Sequence, residues 1–343
     1  MSETSCCSEG GRCGQTVQTA PTALELKDHL GGWKARWGIG RMSYKVEPGL
    51  YAVGNPGGSA PVLVSANYKL TFDALRKNLA GLDCWLLILD TKGVNVWCAA
   101  GKGTFGTEEL LHRIESSGLS RYLSHRRLVL PQLGAAGVSA HEVTRRSGYS
   151  VVYGPVQATD IKAHIDAGYT ATKEMRTVRF TLWDRLVLTP MELLPAVKKV
   201  LPILGVMLVA NQFIAKPFGR FDVAALAGSV FCGAVLTPVL LPVIPGKAFA
   251  WKGWLMGLAG TAKILGLTGS LGRESRALAA GSLLLYPAIS AYLAMNFTGS
   301  STYTSPSGVE KEMRRALPLI AGAAAVGTAL TLGAHLSGGR KKK

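Results

Sequence analysis

The chain has 343 residues, enough for about two domains, and only 17% of them are charged. A soluble protein usually carries about 25% charged residues, so part of the chain is expected to lie in a membrane. The formal net charge is +17, but the basic residues crowd the ends of apolar segments and no aromatic platform for stacking bases is evident. The pattern therefore favours a membrane and argues against nucleic acid as a partner.

Residues 1–40 are rich in glycine, serine, threonine and cysteine, which predicts a flexible N-terminal tail. Cys6, Cys7 and Cys13 are either ordinary thiols or a site that collects a soft metal ion. The six cysteines contain no CxxC pair and no disulfide-type spacing, so neither a zinc ribbon nor a disulfide scaffold is indicated. No basic start followed by an apolar core marks a secretory signal, so the first domain is expected in the cytoplasm.

Residues 41–180 alternate short apolar runs with amphipathic stretches, which predicts an α/β domain of the Rossmann-like kind, with a mainly parallel sheet and flanking helices. The predicted strands are Pro61–Ser65, Cys84–Asp90, Arg127–Leu130 and Ser150–Tyr153. The predicted helices are Thr71–Ala80, Gly106–Ser117, Ser139–Ser147 and Thr159–Ala167. Ligands of such sheets bind at the carboxyl ends of the strands, where this chain is rich in glycine, proline and small residues.

The composition becomes strongly apolar after a predicted linker at 181–193. Five stretches in 194–343 approach the roughly 20 apolar residues that cross a bilayer, which predicts an all-α domain of five transmembrane helices. We place them near 194–214, 222–244, 248–268, 277–297 and 316–336, and Lys252 and Lys263 weaken the third. The chain is therefore expected to be a multi-pass protein of the inner membrane. The first domain and the loops near Lys247 and Lys311–Arg315 are expected on the cytoplasmic side. A soluble helical domain is the alternative.

The segment Asn95–Lys102 (NVWCAAGK) follows the second predicted strand and should wind into a short helix. Cys98 on that helix is either an ordinary core residue or a ligand. As a ligand it would be shielded from water by Val96, Trp97 and the two alanines that follow. Lys102 and the helix N-terminus could hold it as a thiolate.

This octapeptide matches in full the signature of the corrinoid protein of the mercury-methylation pair, a family with a corrinoid domain followed by five membrane helices. Pro61–Thr71 (PVLVSANYKLT) and Leu130–Val143 (LPQLGAAGVSAHEV) are also similar to the large subunit of the corrinoid iron–sulfur protein of the acetyl-CoA pathway. The resemblance covers residues 45–180 and, by architecture alone, the apolar part.

The resemblance implies that Cys98 is the lower axial ligand of the cobalt in a cobalamin-type corrinoid. Asn95 would cap the short helix, Trp97 would pack below the ring, and Gly101 and Lys102 would end the helix. The remaining implied cofactor contacts are neighbours in the helix or residues of the strand-end loops, each of which could equally be ordinary turn chemistry: Val96, Ala99, Ser65, Ala66, Asn67, Thr71, Leu133, Gly134, Ala135, Gly154 and Pro155.

The activity implied is a methyltransferase reaction in which methyl passes from cobalt to inorganic Hg(II) and gives methylmercury. A thiolate below the cobalt would push electron density along the axis, as it does for haem iron, and favour transfer to an electrophile. The implied partners are a small ferredoxin-like protein with two [4Fe-4S] clusters and a folate-bound methyl donor. Three alternatives stay open: a corrinoid methyl carrier of one-carbon metabolism with another acceptor, a non-catalytic corrinoid binder or transporter, and a nucleotide-binding regulator. The last lacks a GxGxxG after its first strand.

Overall fold

The computed structural model describes residues 17–213, 218–267 and 276–337. The chain divides into two compact units: unit 1 comprises residues up to 35 and 39–178, and unit 2 comprises 36–38 and 179–343. Cys6, Cys7 and Cys13, for which the sequence leaves a metal-collecting role open, lie outside the described residues.

Unit 1 is built on a six-stranded sheet with the order β1-β2-β4-β3-β5-β6. The strands β3, β4, β5 and β6 are parallel to one another, whereas β2 is antiparallel to β4 and β1 is parallel to β2. The predicted mainly parallel sheet is thus confirmed, with an antiparallel edge that the sequence did not indicate. The strands are β1 (Gln18–Thr19), β2 (Gly49–Val53), β3 (Val62–Ala66), β4 (Cys84–Leu89), β5 (Arg127–Leu130) and β6 (Ser150–Tyr153).

Helices cover the sheet on both faces. In β4 the side chains alternate between the two hydrophobic cores: Leu87 and Leu89 face one cluster, and Leu86 and Ile88 face the other. A strand buried on both faces is a continuous apolar run, which is why the sequence pattern located it. The helices are α1 (Leu26–Arg36), α2 (Lys69–Lys77), α3 (Val96–Gly101), α4 (Thr107–Ser116), α5 (Ala140–Ser147) and α6 (Ile161–Asp166).

The prediction of a flexible tail is wrong for residues 17–40, because they contribute β1 and α1 to the fold. Asp28 of α1 accepts hydrogen bonds from Lys69 Nζ at 2.7 Å and Arg76 Nη2 at 2.6 Å, both on α2. Burial raises the pKa of Asp28, but the hydrogen bonds from Lys69, the Glu25 amide and Arg76 outweigh it and hold the pKa well below its usual range. The sequence could not indicate this ion-pair cluster, since Asp28 is 41 residues from Lys69 and 48 residues from Arg76.

Unit 2 is helical. A capping box starts its first long helix: the Asp184 carboxylate accepts from the Thr181 amide at 2.8 Å and Thr181 Oγ1 accepts from the Asp184 amide at 3.3 Å. The stretch 181–193, predicted as a linker, is therefore part of this helix. The helices are α7 (Leu182–Ala210), α8 (Arg220–Phe231), which continues through a π-helical turn (Cys232–Leu236) into α9 (Thr237–Val239), α10 (Phe249–Leu267), α11 (Arg276–Asn296) and α12 (Pro306–Ser337).

Within the described residues, four segments are long and apolar enough to cross a membrane: Leu182–Ala210, Arg220–Val239, Arg276–Ser300 and Ser307–Leu336. The prediction of five spans is corrected to four candidates, because α10 is not among them. Its two lysines and several glycines reduce its hydropathy. Lys252 is buried within unit 2, where its ammonium donates to the Leu241 carbonyl at 2.5 Å.

Candidate functional site

The carboxyl ends of β3, β4, β5 and β6 meet at one edge of the sheet, since these strands are parallel. Chain order runs outward from β3 to β4 on one side and from β5 to β6 on the other, so it reverses between β3 and β5. Such a reversal opens a crevice at the carboxyl ends, where open α/β sheets bind their ligands. We call this region, with the loops 66–68, 90–95, 131–138 and 154–156, the carboxyl edge.

The Cys98 helix α3 lies on the carboxyl edge and presents two different faces. Val96, Ala99 and Ala100 point into the hydrophobic core. Trp97 is 40% exposed, and Cys98 is half-buried. The expectation that Val96 and the alanines shield the thiol is therefore wrong, because they occupy the opposite face of the helix. Within unit 1, Cys98 and the exposed Trp97 are thus both on the part of α3 that is turned away from the hydrophobic core.

Asn95 is the N-cap of α3, and its Oδ1 accepts from the Cys98 amide at 2.9 Å. This is the capping role expected of it, and it fixes the backbone that carries the thiol. The helix ends at Gly101 with Lys102 as C-cap, and both residues are exposed. No atom lies within 4 Å of the position that a Cβ on Gly101 would take, so the surface beside the thiol is open.

Asn67 is fully buried, and its side chain forms four hydrogen bonds with the loop that leads to α3. Its Oδ1 accepts from the Thr91 amide at 3.1 Å, the Thr91 hydroxyl at 2.9 Å and the Gly93 amide at 3.0 Å. Its Nδ2 donates to Asp90 Oδ1 at 3.1 Å. Asn67 was expected to touch the corrin edge, whereas the geometry makes it a positioning residue for the 90–95 loop.

Asp90 accepts from Asn67 inside the protein and pairs with the exposed ammonium of Lys92. Burial raises the pKa of Asp90, but hydrogen bonds from the Lys92 ammonium, the Lys92 amide and Asn67 outweigh it and leave the pKa below its ordinary value. The Lys92 ammonium is 2.5 Å from the carboxylate. Asp90 is therefore charged at neutral pH, which keeps it an acceptor for the Asn67 amide.

The loop after β5 packs through two glycines against α3 and the segment that follows it. A Cβ on Gly137 would lie 2.1 Å from the Phe105 carbonyl oxygen and 3.0 Å from Ala100 Cα. A Cβ on Gly134 would lie 2.6 Å from Phe105 Cε1. Only glycine permits this approach. Gly134 is thus a packing residue, while its half-buried neighbours Leu133 and Ala135 remain at the surface of the carboxyl edge.

The loop after β6 is fixed by burial and by a backbone hydrogen bond to the end of β5. Gly154 and Pro155 are buried, and the Gly154 amide donates to the Leu130 carbonyl at 2.8 Å. A Cβ on Gly154 would lie 3.4 Å from Nε2 of His164, which is fully buried. Neither ring nitrogen of His164 has a hydrogen-bond partner among the described residues. Sequence reasoning missed this histidine, because nothing in its surrounding residues signals burial.

The loop after β3 offers little side-chain surface. Ser65 and Ala66 are buried in the strand, and Thr71, on the first turn of α2, is half-buried. The predicted site residues thus separate into two groups. Those at the surface of unit 1 are Trp97, Cys98, Gly101, Lys102, Leu133 and Ala135, and in part Asn95 and Thr71. The other predicted site residues are buried and contribute to the packing beneath the carboxyl edge.

The surface group fits a corrinoid in its chemistry. A thiol is a soft ligand that suits one axial position of cobalt, since a corrin ring supplies the equatorial nitrogen ligands itself. The exposed indole of Trp97 on the same helix offers a flat apolar surface, and the open space at Gly101 admits a broad ring. In the part of the chain that the structure describes, no group of three His, Cys, Asp or Glu side chains is arranged to hold a bare metal ion.

Part of unit 1 is similar to subunits of acetyl-CoA synthase and acetyl-CoA decarbonylase/synthase complexes. Residues 39–165 match the family model described as CO dehydrogenase/acetyl-CoA synthase delta subunit. The chain is 34% identical over 128 residues to the acetyl-CoA decarbonylase/synthase complex subunit gamma of Methanopyrus kandleri, covering 37% of this chain and 27% of the relative. It is 32% identical over 123 residues to the subunit gamma of Methanocaldococcus jannaschii, covering 35% and 25%.

These matches confirm the predicted similarity of unit 1 to proteins of the acetyl-CoA pathway. The chain spans about a quarter of the length of these curated relatives. The resemblance to the corrinoid protein of the mercury-methylation pair stays a prediction carried by the octapeptide Asn95–Lys102.

Proposed function

We propose that the carboxyl edge of unit 1 binds a corrinoid and that the chain is a methyl carrier of the acetyl-CoA-pathway type, with Cys98 as the lower axial ligand. The observation that carries this proposal is the position of Cys98. Its thiol is on the outward face of α3, at the sheet edge of a domain that matches the delta-subunit family over residues 39–165.

The residues of unit 1 have separate tasks in this proposal. A bound corrinoid supplies a cobalt that can accept and release a methyl group. Cys98 would hold the cobalt from below, and Trp97 would cover the thiol side and exclude water. Asn95 and Asn67 would fix the thiol in place, the first through the helix cap and the second through the 90–95 loop. Leu133 and Ala135 would contact the ring from the neighbouring loop.

A second candidate differs in the acceptor of the methyl group, which would be Hg(II) as substrate with methylmercury as product. The octapeptide NVWCAAGK and the thiol at its centre favour it. A strong thiolate donor would favour release of methyl to an electrophile, whereas carbon-metabolism acceptors are nucleophiles. The proposal then includes a ferredoxin-like protein with two [4Fe-4S] clusters as electron donor and a folate-bound methyl donor.

We further propose that unit 2 is embedded in the inner membrane and that unit 1 is cytoplasmic. The outward faces of α7 and α12 support this, since Leu201 is 60% exposed, Val206 69% and Leu319 74%. Apolar surface of this extent is costly in water and favourable in lipid.

The test uses the full chain, purified in detergent without oxygen and loaded with cobalamin. We expect the wild type to show the absorption of thiolate-ligated cobalt and Cys98→Ala to lose it. Cys84→Ala is the matched control, because Cys84 is buried at the opposite end of β4, where burial raises the pKa of its thiol to about 12. Failure of the wild type to bind cobalamin, or an unchanged spectrum in Cys98→Ala, would contradict the axial assignment.

The acceptor is decided separately by supplying the methylated protein with Hg(II) or with a thiol acceptor. Faster transfer to the thiol supports the carbon-metabolism proposal. Methylmercury formed by the wild type and by Cys84→Ala, with none from Cys98→Ala, would replace it with the second candidate.

A further inference from the structure

Unit 2 contains a groove of about 850 Å³ that none of the proposed chemistry uses. It is bounded by α10, α11 and α12, and its lining is mainly apolar. We call it the basic groove, for the cations at one end. The apolar lining residues used below are Trp251 and Trp254 of α10, Leu284 and Ala291 of α11, and Leu319 and Ala323 of α12.

Three cations line the groove near the start of α12: Lys247, Lys311 and Arg315. None of them forms an ion pair within the described parts of the chain, whereas the adjacent Arg314 pairs with Glu310 at 2.6 Å. The acidic residue of the lining, Glu312, accepts a hydrogen bond from the Ala250 amide at 2.7 Å and so caps the start of α10. With three cations and one acidic residue in its lining, the groove carries an excess of positive charge.

The lining changes in character along its length. Lys311, Arg315, Leu319 and Ala323 follow each other at intervals of four residues, so they share one face of α12 over about three turns. Trp251 and Trp254 flank this path, with their rings stacked at 11° and 5.9 Å apart. Cations at one end, tryptophans beside them and aliphatic side chains farther along match the order of headgroup, interface and acyl chains in a bilayer leaflet.

We propose that the basic groove is a binding site for one anionic phospholipid, whose phosphate lies at Lys311 and Arg315 and whose chains follow Leu319 and Ala323. Charge complementarity selects an anionic over a zwitterionic headgroup. The apolar lining, longer than a headgroup needs, selects a lipid over a free phosphate. This inference rests on the proposed embedding of unit 2 in a membrane.

The test is native mass spectrometry of the delipidated full chain, titrated in detergent with phosphatidylglycerol or with phosphatidylcholine of the same chains. We expect one phosphatidylglycerol to be retained in preference. Each cation near an anionic headgroup contributes about fivefold in affinity, so Lys311→Gln with Arg315→Gln should weaken phosphatidylglycerol about 25-fold. Arg314→Gln is the matched control, since its charge is paired outside the groove, and it should bind like the wild type.

A second variant separates the groove from general surface charge. Ala323→Phe fills the apolar end without changing any charge, and it should also lower retention of phosphatidylglycerol. Equal binding of both lipids by the wild type, an equal loss in Arg314→Gln, or full retention in Ala323→Phe would each overturn the proposal. Flotation of the wild type with alkaline-washed membranes tests the embedding itself. If the protein floats but shows no lipid preference, only the proposed lipid site is refuted. If it does not float, the proposed embedding of unit 2 is refuted.

Discussion

The Asn67 side chain holds the loop that positions Cys98, and its removal gives the sharpest test of the site. Asn67→Ala deletes three accepted hydrogen bonds and one donated bond. It leaves the Gly93 amide without its acceptor, whereas the Thr91 amide keeps the Leu89 carbonyl at 3.1 Å. Net contributions of about 1 kcal/mol per bond, counted for the three bonds other than that of the Thr91 amide, predict a local loss on the order of 3 kcal/mol.

The loss should be measured by amide hydrogen exchange on the full chain with mass spectrometry. A local destabilisation of about 3 kcal/mol speeds exchange roughly 100-fold where opening is local. The effect should be confined to the peptide that spans 90–98. Asn78→Ala is the matched control, because Asn78 donates only to the Ala74 carbonyl near the surface.

Asn67→Asp refines the same test. It keeps an acceptor for the Thr91 and Gly93 amides but replaces the donor to Asp90 with a second carboxyl group. At acidic pH, exchange of residues 90–98 should therefore rise less than in Asn67→Ala. As the pH rises and both carboxyls ionise, their repulsion should increase this exchange more steeply than in Asn67→Ala. Unchanged exchange of residues 90–98 in Asn67→Ala would refute the inference that Asn67 positions the loop. An equal increase in Asn78→Ala would also refute it.

Three further substitutions test other parts of unit 1. Gly137→Ala should destabilise unit 1 by about 1–3 kcal/mol, because its Cβ would meet a backbone oxygen at 2.1 Å; Gly101→Ala, with open space around its Cβ, is the control, and equal urea midpoints would contradict this packing. Asn95→Ala should cost about 1 kcal/mol and speed exchange at the Cys98 amide; exchange as slow as in the wild type would exclude the cap. Asp28→Asn should cost about 3 kcal/mol at pH 7. Because the folded pKa of Asp28 is lowered, its contribution is complete above the unfolded value of 3.8 and is lost as the pH falls below it. The difference between wild type and Asp28→Asn should therefore shrink in acid, and a constant difference would refute the assignment.

The strands were predictable because burial on both faces leaves a signal in consecutive residues. Runs such as Cys84–Leu89 contain only apolar side chains, so their positions agree with the structure to within about one residue. The strands β1 and β2, which lie together at one side of the sheet, were missed. β1 has two residues, too few for any periodicity, and it is held by pairing with Tyr51 and Ala52 far along the chain.

In the candidate site, too, features that depend on neighbouring residues were predictable and features that depend on distant partners were not. Cys98 and the cap by Asn95 could be identified from one short segment, because helix capping depends on residues three apart. The segment alone did not indicate which face of α3 meets the core. For that reason the prediction that Val96 and the alanines shield the thiol was wrong. The roles of Asn67 and Gly137 depend on partners 23 or more residues away in the chain.

The sequence by itself determined the class of the first domain, the location of the thiol segment and the presence of long apolar helices, since each of these leaves a pattern in neighbouring residues. Only the tertiary structure decided which predicted contacts are surface and which are support, that residues 17–40 are folded, and that Lys311 and Arg315 line one groove with Trp251 and Trp254. Those properties arise from side chains brought together across the chain, where hydrogen bonds, burial and charge depend on distance in space rather than on order in sequence.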